Sequence, residues 1–151
     1  MDTTYKYQIR VTSTSDRSGV AVVEGIEPTI AFSAPPEFKG KSDRWTPEHF
    51  FVAAVASCYV STFSGMASNS HLEFLTLELE TDGTLAQEKD GWRFREVMLH
   101  PRLTIAHGEQ RGLANRLLHK AKENCLIGRS IACPVVLEPA LIIEEQPIAA
   151  T

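Results

Sequence analysis

The stretch that most limits how this chain can fold is Thr46–Asn69, TPEHFFVAAVASCYVSTFSGMASN. It opens with a helix-start signal. Thr46 can cap with its hydroxyl, Pro47 suits the first helical position, and Glu48 favours the positive end of the helix dipole. From Phe50 to Val60 the only polar groups are the hydroxyls of Ser57 and Tyr59 and the thiol of Cys58. A helix that is apolar on every side belongs in an interior. Ala53, Ala54, Ala56 and Ser57 are small, so other elements can approach its backbone closely. The helix should stop near Ser68-Asn69-Ser70, a cluster of poor helix formers. The expectation is a buried central helix with Cys58 midway along it.

A chain of 151 residues is expected to be a single domain spanning 1–151, long enough to bury a real core, though a monomer would struggle to bury such a helix on every side and an intertwined dimer could do so. Its net charge of −4, without any cluster of Lys or Arg, argues against broad nucleic-acid or anionic-membrane binding. The N-terminus, MDTTYKYQIR, lacks the apolar centre of a signal peptide. The longest near-apolar run, about eleven residues, is short of a bilayer span. The expected location is therefore cytoplasmic, where thiols stay reduced. Cys58, Cys125 and Cys133 are odd in number and far apart, which disfavours a structural disulfide framework. No CxxC occurs, and His100, His107 and His119 show no ligand spacing with Cys125, so neither a metal nor a cofactor is called for.

Ahead of the central helix, Tyr5–Thr14 alternates loosely and reads as a first strand. Ser15–Gly19 is a turn, and Val20–Glu24 and Glu27–Phe32 read as two further strands. Ala34–Arg44, with two prolines, a glycine and several charges, is a loop. After the helix, Leu72–Thr81 puts Leu75, Leu77 and Leu79 on one face of a strand and Thr76, Glu78 and Glu80 on the other. Asp82-Gly83 and Lys89-Asp90-Gly91 read as turns around a short excursion. Trp92–His107 reads as a long strand with a bulge or bend at Pro101, since proline cannot donate to a ladder. Glu109–Asn124 carries Leu113, Leu117, Leu118 and Ala121 at helical spacing, with Arg and Lys elsewhere, and predicts an amphipathic second helix. Ile131–Ile143 closes the fold as a strand, and the tail PIAAT is expected to be loose. Strands and helices do not alternate one by one. An α+β fold, with antiparallel sheets packed on two main helices, is the expectation.

Two cysteines are thus carried by helices, Cys58 in the middle of the first and Cys125 at the end of the second. A free cysteine is most often a small buried hydrophobe, and Cys133, beside Pro134, is read that way. Around the other two the local sequence is more specific. The run T-P-E-H-F-F-V-A-A-V-A-S-C, ending in Cys58, resembles the N-P-E-x-L-x-x-A-x-x-x-C signature of the OsmC/Ohr family of osmotically induced and organic hydroperoxide resistance proteins. A-K-E-N-C-L-I-G-R-S-I, around Cys125, resembles that family's A-x-x-x-C-P-[IVY]-S motif, with the closer likeness to the OsmC-type branch. The order of elements, the cysteine spacing and the length are similar too, so the resemblance covers nearly the whole chain.

The resemblance implies a thiol peroxidase folded as an intertwined homodimer with active sites between subunits. In the family the first cysteine attacks an organic hydroperoxide and becomes a sulfenic acid. The second condenses with it to a disulfide, which an external dithiol, in the better-known members a lipoyl group, reduces. Carried over by position, Cys58 is the peroxidatic residue and Cys125 the resolving one. Glu48 matches the motif glutamate, and Arg17, in the first hairpin turn, matches the family's N-terminal arginine. Leu126 stands where the family usually has proline, Gly128 replaces a small polar residue, and Thr46 replaces the motif asparagine.

The same residue types answer a chemical need. Burial in an apolar helix raises a thiol's pKa, so Cys58 requires compensation to react as thiolate. Arg17 is permanently charged, and its fork can address both a sulfur and a carboxylate. It can also steady charge on a leaving oxygen. Arg44, just ahead of the helix, ranks second for that role. Ten residues along a straight helix are roughly 15 Å, so Glu48 would act by holding Arg17, or through a second subunit. Trp45, Phe50 and Phe51, with His49, can line an apolar pocket for a bulky hydroperoxide, or belong to a core or dimer interface. The competing reading is a non-catalytic OsmC-like dimer that binds an apolar ligand; a Cys/His zinc protein is the weakest.

Overall fold

The computed structural model describes residues 3–145. The expectation for the tail, 147–151, falls outside them. The chain divides into two compact units, Met1–Phe51 and Val52–Thr151, each described in its own right.

In the first unit β1 (Arg10–Ser13), β2 (Ser18–Val23) and β3 (Ile26–Ser33) form an antiparallel sheet in that order. The first strand is shorter than its alternation predicts. Tyr5, Tyr7, Ile9 and Val11 keep the period of two, but all four are exposed, and pairing starts only at Arg10. The β1–β2 turn places Asp16 and Arg17 at φ 53° and 62°, the left-handed pair that a tight hairpin turn needs. The Arg17 carbonyl accepts from Ala34 N at 3.0 Å, which ties this turn to the end of β3. Ser33 is fully buried, its Oγ donating to the Ala34 carbonyl at 2.9 Å and accepting from Lys41 N at 2.8 Å. A Cβ on Gly40 would run into the Ala34 backbone, so only glycine lets this loop fold back on itself.

The helix α1 (Pro47–Asn69) has the bounds its sequence predicts. Thr46 caps it: His49 N donates to Thr46 Oγ1 at 3.1 Å, and Thr46 N donates back to His49 Nδ1 at 3.0 Å. This is a capping box with histidine in the place of the usual Glu or Gln. Burial on every side is not reached within one chain. In the single chain only Val55, Tyr59, Phe63 and Ala67 are buried, one stripe at a spacing of four. By length and composition α1 could also cross a bilayer, but its stripe packs as a core helix does. Tyr59 Oη donates to the Leu118 carbonyl at 2.9 Å, and the Phe63 ring meets Phe74 edge-on at 5.5 Å.

The rest of the second unit is a sheet of β4 (Thr76–Glu88), β5 (Gly91–Ile105), β6 (Val135–Leu137) and β7 (Ala140–Ile143), with α2 (Arg111–Asn124) and a single turn, α3 (Leu126–Arg129), between β5 and β6. The β4–β5 hairpin is antiparallel and longer than predicted, because Asp82-Gly83 continues the strand instead of turning. Gly83 is there for space: a Cβ would lie 2.5 Å from Val52 Cγ2 and 3.0 Å from the Phe94 ring. The predicted irregularity at Pro101 is also corrected. Pro101 pairs in register with Leu79, and the shift lies between Thr84 and Leu85. The outer partner of β5 changes from β6, at Val97–Leu99, to β7, at Arg102–Ile105. Pro101 sits in that gap, where its missing N–H leaves no ladder bond unmade. The single closing strand expected over Ile131–Ile143 is α3's exit followed by two short strands. Both run parallel to β5, since a helix-bearing connection returns the chain in the same direction. The sheet is therefore mixed and not purely antiparallel. Its inner face, with Val97, Leu99, Leu103 and Ile105, is buried together with Leu118 and Ala121 of α2.

Candidate active site

Two of the predicted residues meet within the second unit. Cys58 lies on α1 beside the buried Tyr59, whose hydroxyl bond to α2 holds this turn of the helix in place. Cys125 ends α2 in extended conformation, φ −66° and ψ 110°, and at once caps α3. Its Sγ accepts from Gly128 N at 3.5 Å and lies 3.9 Å from the Val55 carbonyl. Cys125 is buried, Cys58 half-buried, and both thiols are free. Cys133 is a third free thiol, half-buried ahead of β6.

The two thiols are shifted in opposite directions. Burial pushes Cys58 up, but the Ile127 amide, the Cys125 thiol, the Thr62 hydroxyl and the Leu126 amide together outweigh it, leaving Cys58 below its ordinary value. Burial pushes Cys125 up as well, and the neighbouring Cys58 sulfur pushes it further; the Gly128 and Ile127 amides offset this only in part. One sulfur is thus disposed to carry the charge and the other the proton.

From sequence, a cation, Arg17, is the expected compensation for burial. Within the single chain the contacts that offset burial are the Ile127 and Leu126 amides, the Cys125 thiol and the Thr62 hydroxyl, of which Leu126, Ile127 and Thr62 are not expected from sequence in that role. The only signal for them was position: two amides just after Cys125, and a hydroxyl one turn after Cys58.

The remaining predicted residues belong to the first unit. Arg17 is exposed at its left-handed turn position, and its Nη1 donates to the Phe38 carbonyl at 3.3 Å. Glu48, in the first turn of α1, has Oε2 buried without a hydrogen-bond partner. The two are not ion-paired with each other in the single chain. Arg44 makes a long contact to Asp43, 3.7 Å. Trp45 and Phe50 lie 5.8 Å apart, Phe50 meets Phe32 edge-on at 5.9 Å, and Phe51 is half-buried next in sequence. His49 is taken up by the helix cap. Among the described residues, no group of three or more His, Cys, Asp or Glu side chains could hold a metal ion.

With the cysteine pair in place, the comparison with known proteins is direct. A family model described as OsmC-like protein matches residues 40–139, most of the chain. The chain belongs to the OsmC-like family. It is 25% identical to the uncharacterized protein YmaD of Bacillus subtilis, over 89% of this chain and 91% of that one. Among solved structures, an OsmC-like protein of unknown function from Vibrio cholerae superposes with a TM-score of 0.81 at 22% identity, covering 90% of this chain and 99% of its own. An organic hydroperoxide resistance protein OsmC from Legionella pneumophila superposes at 0.71 with 20% identity, covering 93% and 100%. At these identities the structures speak for a shared OsmC-like fold.

Proposed function

We propose that this OsmC-like protein is a thiol peroxidase that reduces organic hydroperoxides. The observation that carries the reading is that the α2–α3 junction brings Cys125 to the helix of Cys58, its Sγ 3.9 Å from the Val55 carbonyl, with Cys58 held below the ordinary thiol value and Cys125 above it. The Cys58 thiolate attacks the terminal peroxide oxygen. A sulfur–oxygen bond forms as the O–O bond breaks, and the departing alkoxide takes a proton to leave as alcohol. The sulfenic acid on Cys58 is then attacked by the Cys125 sulfur, releasing water and leaving a Cys58–Cys125 disulfide. An external dithiol, such as a lipoyl group, restores both thiols by exchange.

In this reading the whole chain is one OsmC-like domain that works as an intertwined homodimer in the cytoplasm. The half-open α1 supports the dimer, since its apolar sides beyond the Val55–Ala67 stripe remain accessible in one chain. The buried, unpartnered Glu48 Oε2 and the rigid Arg17 turn support roles for those residues in completing the site. Glu48 anchors the Arg17 guanidinium, which steadies charge on sulfur and leaving oxygen. Trp45, Phe50 and Phe51 offer an apolar lining that favours a bulky hydroperoxide over hydrogen peroxide by desolvation.

The test is titration of the reduced protein with cumene hydroperoxide, with disulfides and sulfenates mapped by mass spectrometry. Wild type should yield a Cys58–Cys125 bond, Cys125→Ser a trapped Cys58 sulfenate, and Cys58→Ser neither. Oxidation no faster than that of a free thiol would overturn the peroxidase reading in favour of a non-catalytic dimer that binds an apolar ligand.

A further inference from the structure

Three hydroxyls surround Cys58 along α1, and they are used differently. Ser57 Oγ donates to the Ala54 carbonyl at 3.3 Å, and Ser61 Oγ donates to the Cys58 carbonyl at 3.1 Å. Both turn back on the helix's own backbone, the common outlet for a hydroxyl in a helix interior. Thr62 does not. Its Oγ1 lies 3.9 Å from Cys58 Sγ. Residues four apart share a helix face, and a β-branched side chain in a helix has few rotamers to lose. Of the few rotamers open to it, Thr62 takes the one that sets its hydroxyl toward the sulfur. It is half-buried, between the exposed Ser61 and the buried Phe63, so water competes for it only in part.

We propose that Thr62 is a positioning residue for the Cys58 thiolate, its hydroxyl donating to the sulfur from α1 itself. The proposal rests on the reading of Cys58 as the attacking thiol. An ionised sulfur has no proton to give, so between the two groups the O–H must be the donor. The Cys125–Ile127 segment supplies its donors from a separate piece of backbone. Thr62 adds one from the helix that carries the sulfur, which fixes the direction of the lone pair used in attack. It transfers no proton: the sulfur's electron pair makes the bond to oxygen, the alkoxide takes its proton from solvent, and the threonine keeps its own. The hydroxyl is also among the contacts that hold this thiol below its ordinary range.

The test uses the reduced full-length chain with Thr62→Val, Thr62→Ala and Thr62→Ser. Cys58 alkylation by iodoacetamide is followed across pH and resolved by mass spectrometry, with Cys133 as the internal reference. The Val and Ala variants should move the Cys58 profile to higher pH. Their labelling rate at neutral pH should fall roughly three- to tenfold, the scale of one long hydrogen bond to a charged acceptor. Ser should restore most of the loss, and Cys133 should be unchanged. If both hydroxyl-free variants keep the wild-type profile, the proposal is overturned, whatever the peroxide activity. Failure of Ser to rescue would overturn it too, by assigning the effect to the methyl group. A shifted, rescued profile in a protein that consumes no cumene hydroperoxide would uphold Thr62 as the sulfur's partner and sink the peroxidase reading instead.

Discussion

Replacing Leu126 by proline should withdraw one amide from Cys58 while leaving the backbone where it is. Leu126 is the first residue of α3, a position at which proline is well tolerated because the N–H has no partner within the helix. The preceding residue, Cys125, already has the extended conformation that proline demands of its neighbour. The leucine side chain is 65% exposed, so little packing is lost with it. What disappears is the N–H directed at the Cys58 sulfur. It is the smallest of the favourable contacts to that thiol, so we assign it about 1 kcal/mol, below the usual range for a bond to a charged group. That corresponds to about a fivefold lower thiolate fraction at neutral pH. The assay is site-resolved alkylation of Cys58 between pH 5 and 9, alongside a thermal melt. Proline also restricts the unfolded chain, so the melting temperature should hold or rise. Reactivity should therefore fall while stability does not. An unchanged alkylation profile in a variant with native circular dichroism would refute the assignment of this amide to the sulfur. The departure from the family's proline then has a chemical meaning, because Leu126 brings a donor that proline lacks.

Tyr59→Phe removes the buried bond from Tyr59 Oη to the Leu118 carbonyl. It should cost about 1 kcal/mol, a fall of roughly 3 °C in Tm for a chain of this size, measurable by calorimetry. Gly83→Ala forces a methyl against Val52 and the Phe94 ring and should destabilise by about 1–3 kcal/mol in urea unfolding; a neutral result would mean that α1 can move off the sheet freely. Thr46→Ala breaks the capping box with His49 and should lose about 1 kcal/mol, whereas Thr46→Asn should keep most of it. Because the folded Cys58 pKa is depressed, its ionisation adds stability that is fully present above the unfolded thiol value and fades as pH falls through the folded one. The stability of wild type over Cys58→Ser should therefore grow from neutral pH toward the ordinary thiol range, and a gap that does not vary with pH would contradict the shift.

How much of this was readable from sequence depends on whether the signal is local. The cap and bounds of α1, the amphipathic α2 and the β4–β5 pairing all follow from residues close together in the chain. The two motif cysteines were legible for the same reason, each within a short pattern on a helix. The turn at Arg17 was legible as well, though not its left-handed backbone or its bonds to Ala34 and Phe38. Gly83 misled because glycine after aspartate is turn chemistry, whereas here it clears space for Val52, a residue on another element. Pro101 misled because its effect depends on which strand lies alongside. That is set by the handover from β6 to β7.

By itself, then, the sequence determined the helices, the α+β class and the two helix-borne thiols that meet in the fold, since periodicity, caps and turns act over a few residues. Only the tertiary structure showed which groups press on each thiol, lowering the Cys58 pKa and raising that of Cys125. The Cys58 environment is assembled from Thr62 on its own helix and from Cys125, Leu126 and Ile127 far along the chain. A pKa answers to distances in space, and those exist only once α3 has closed on α1.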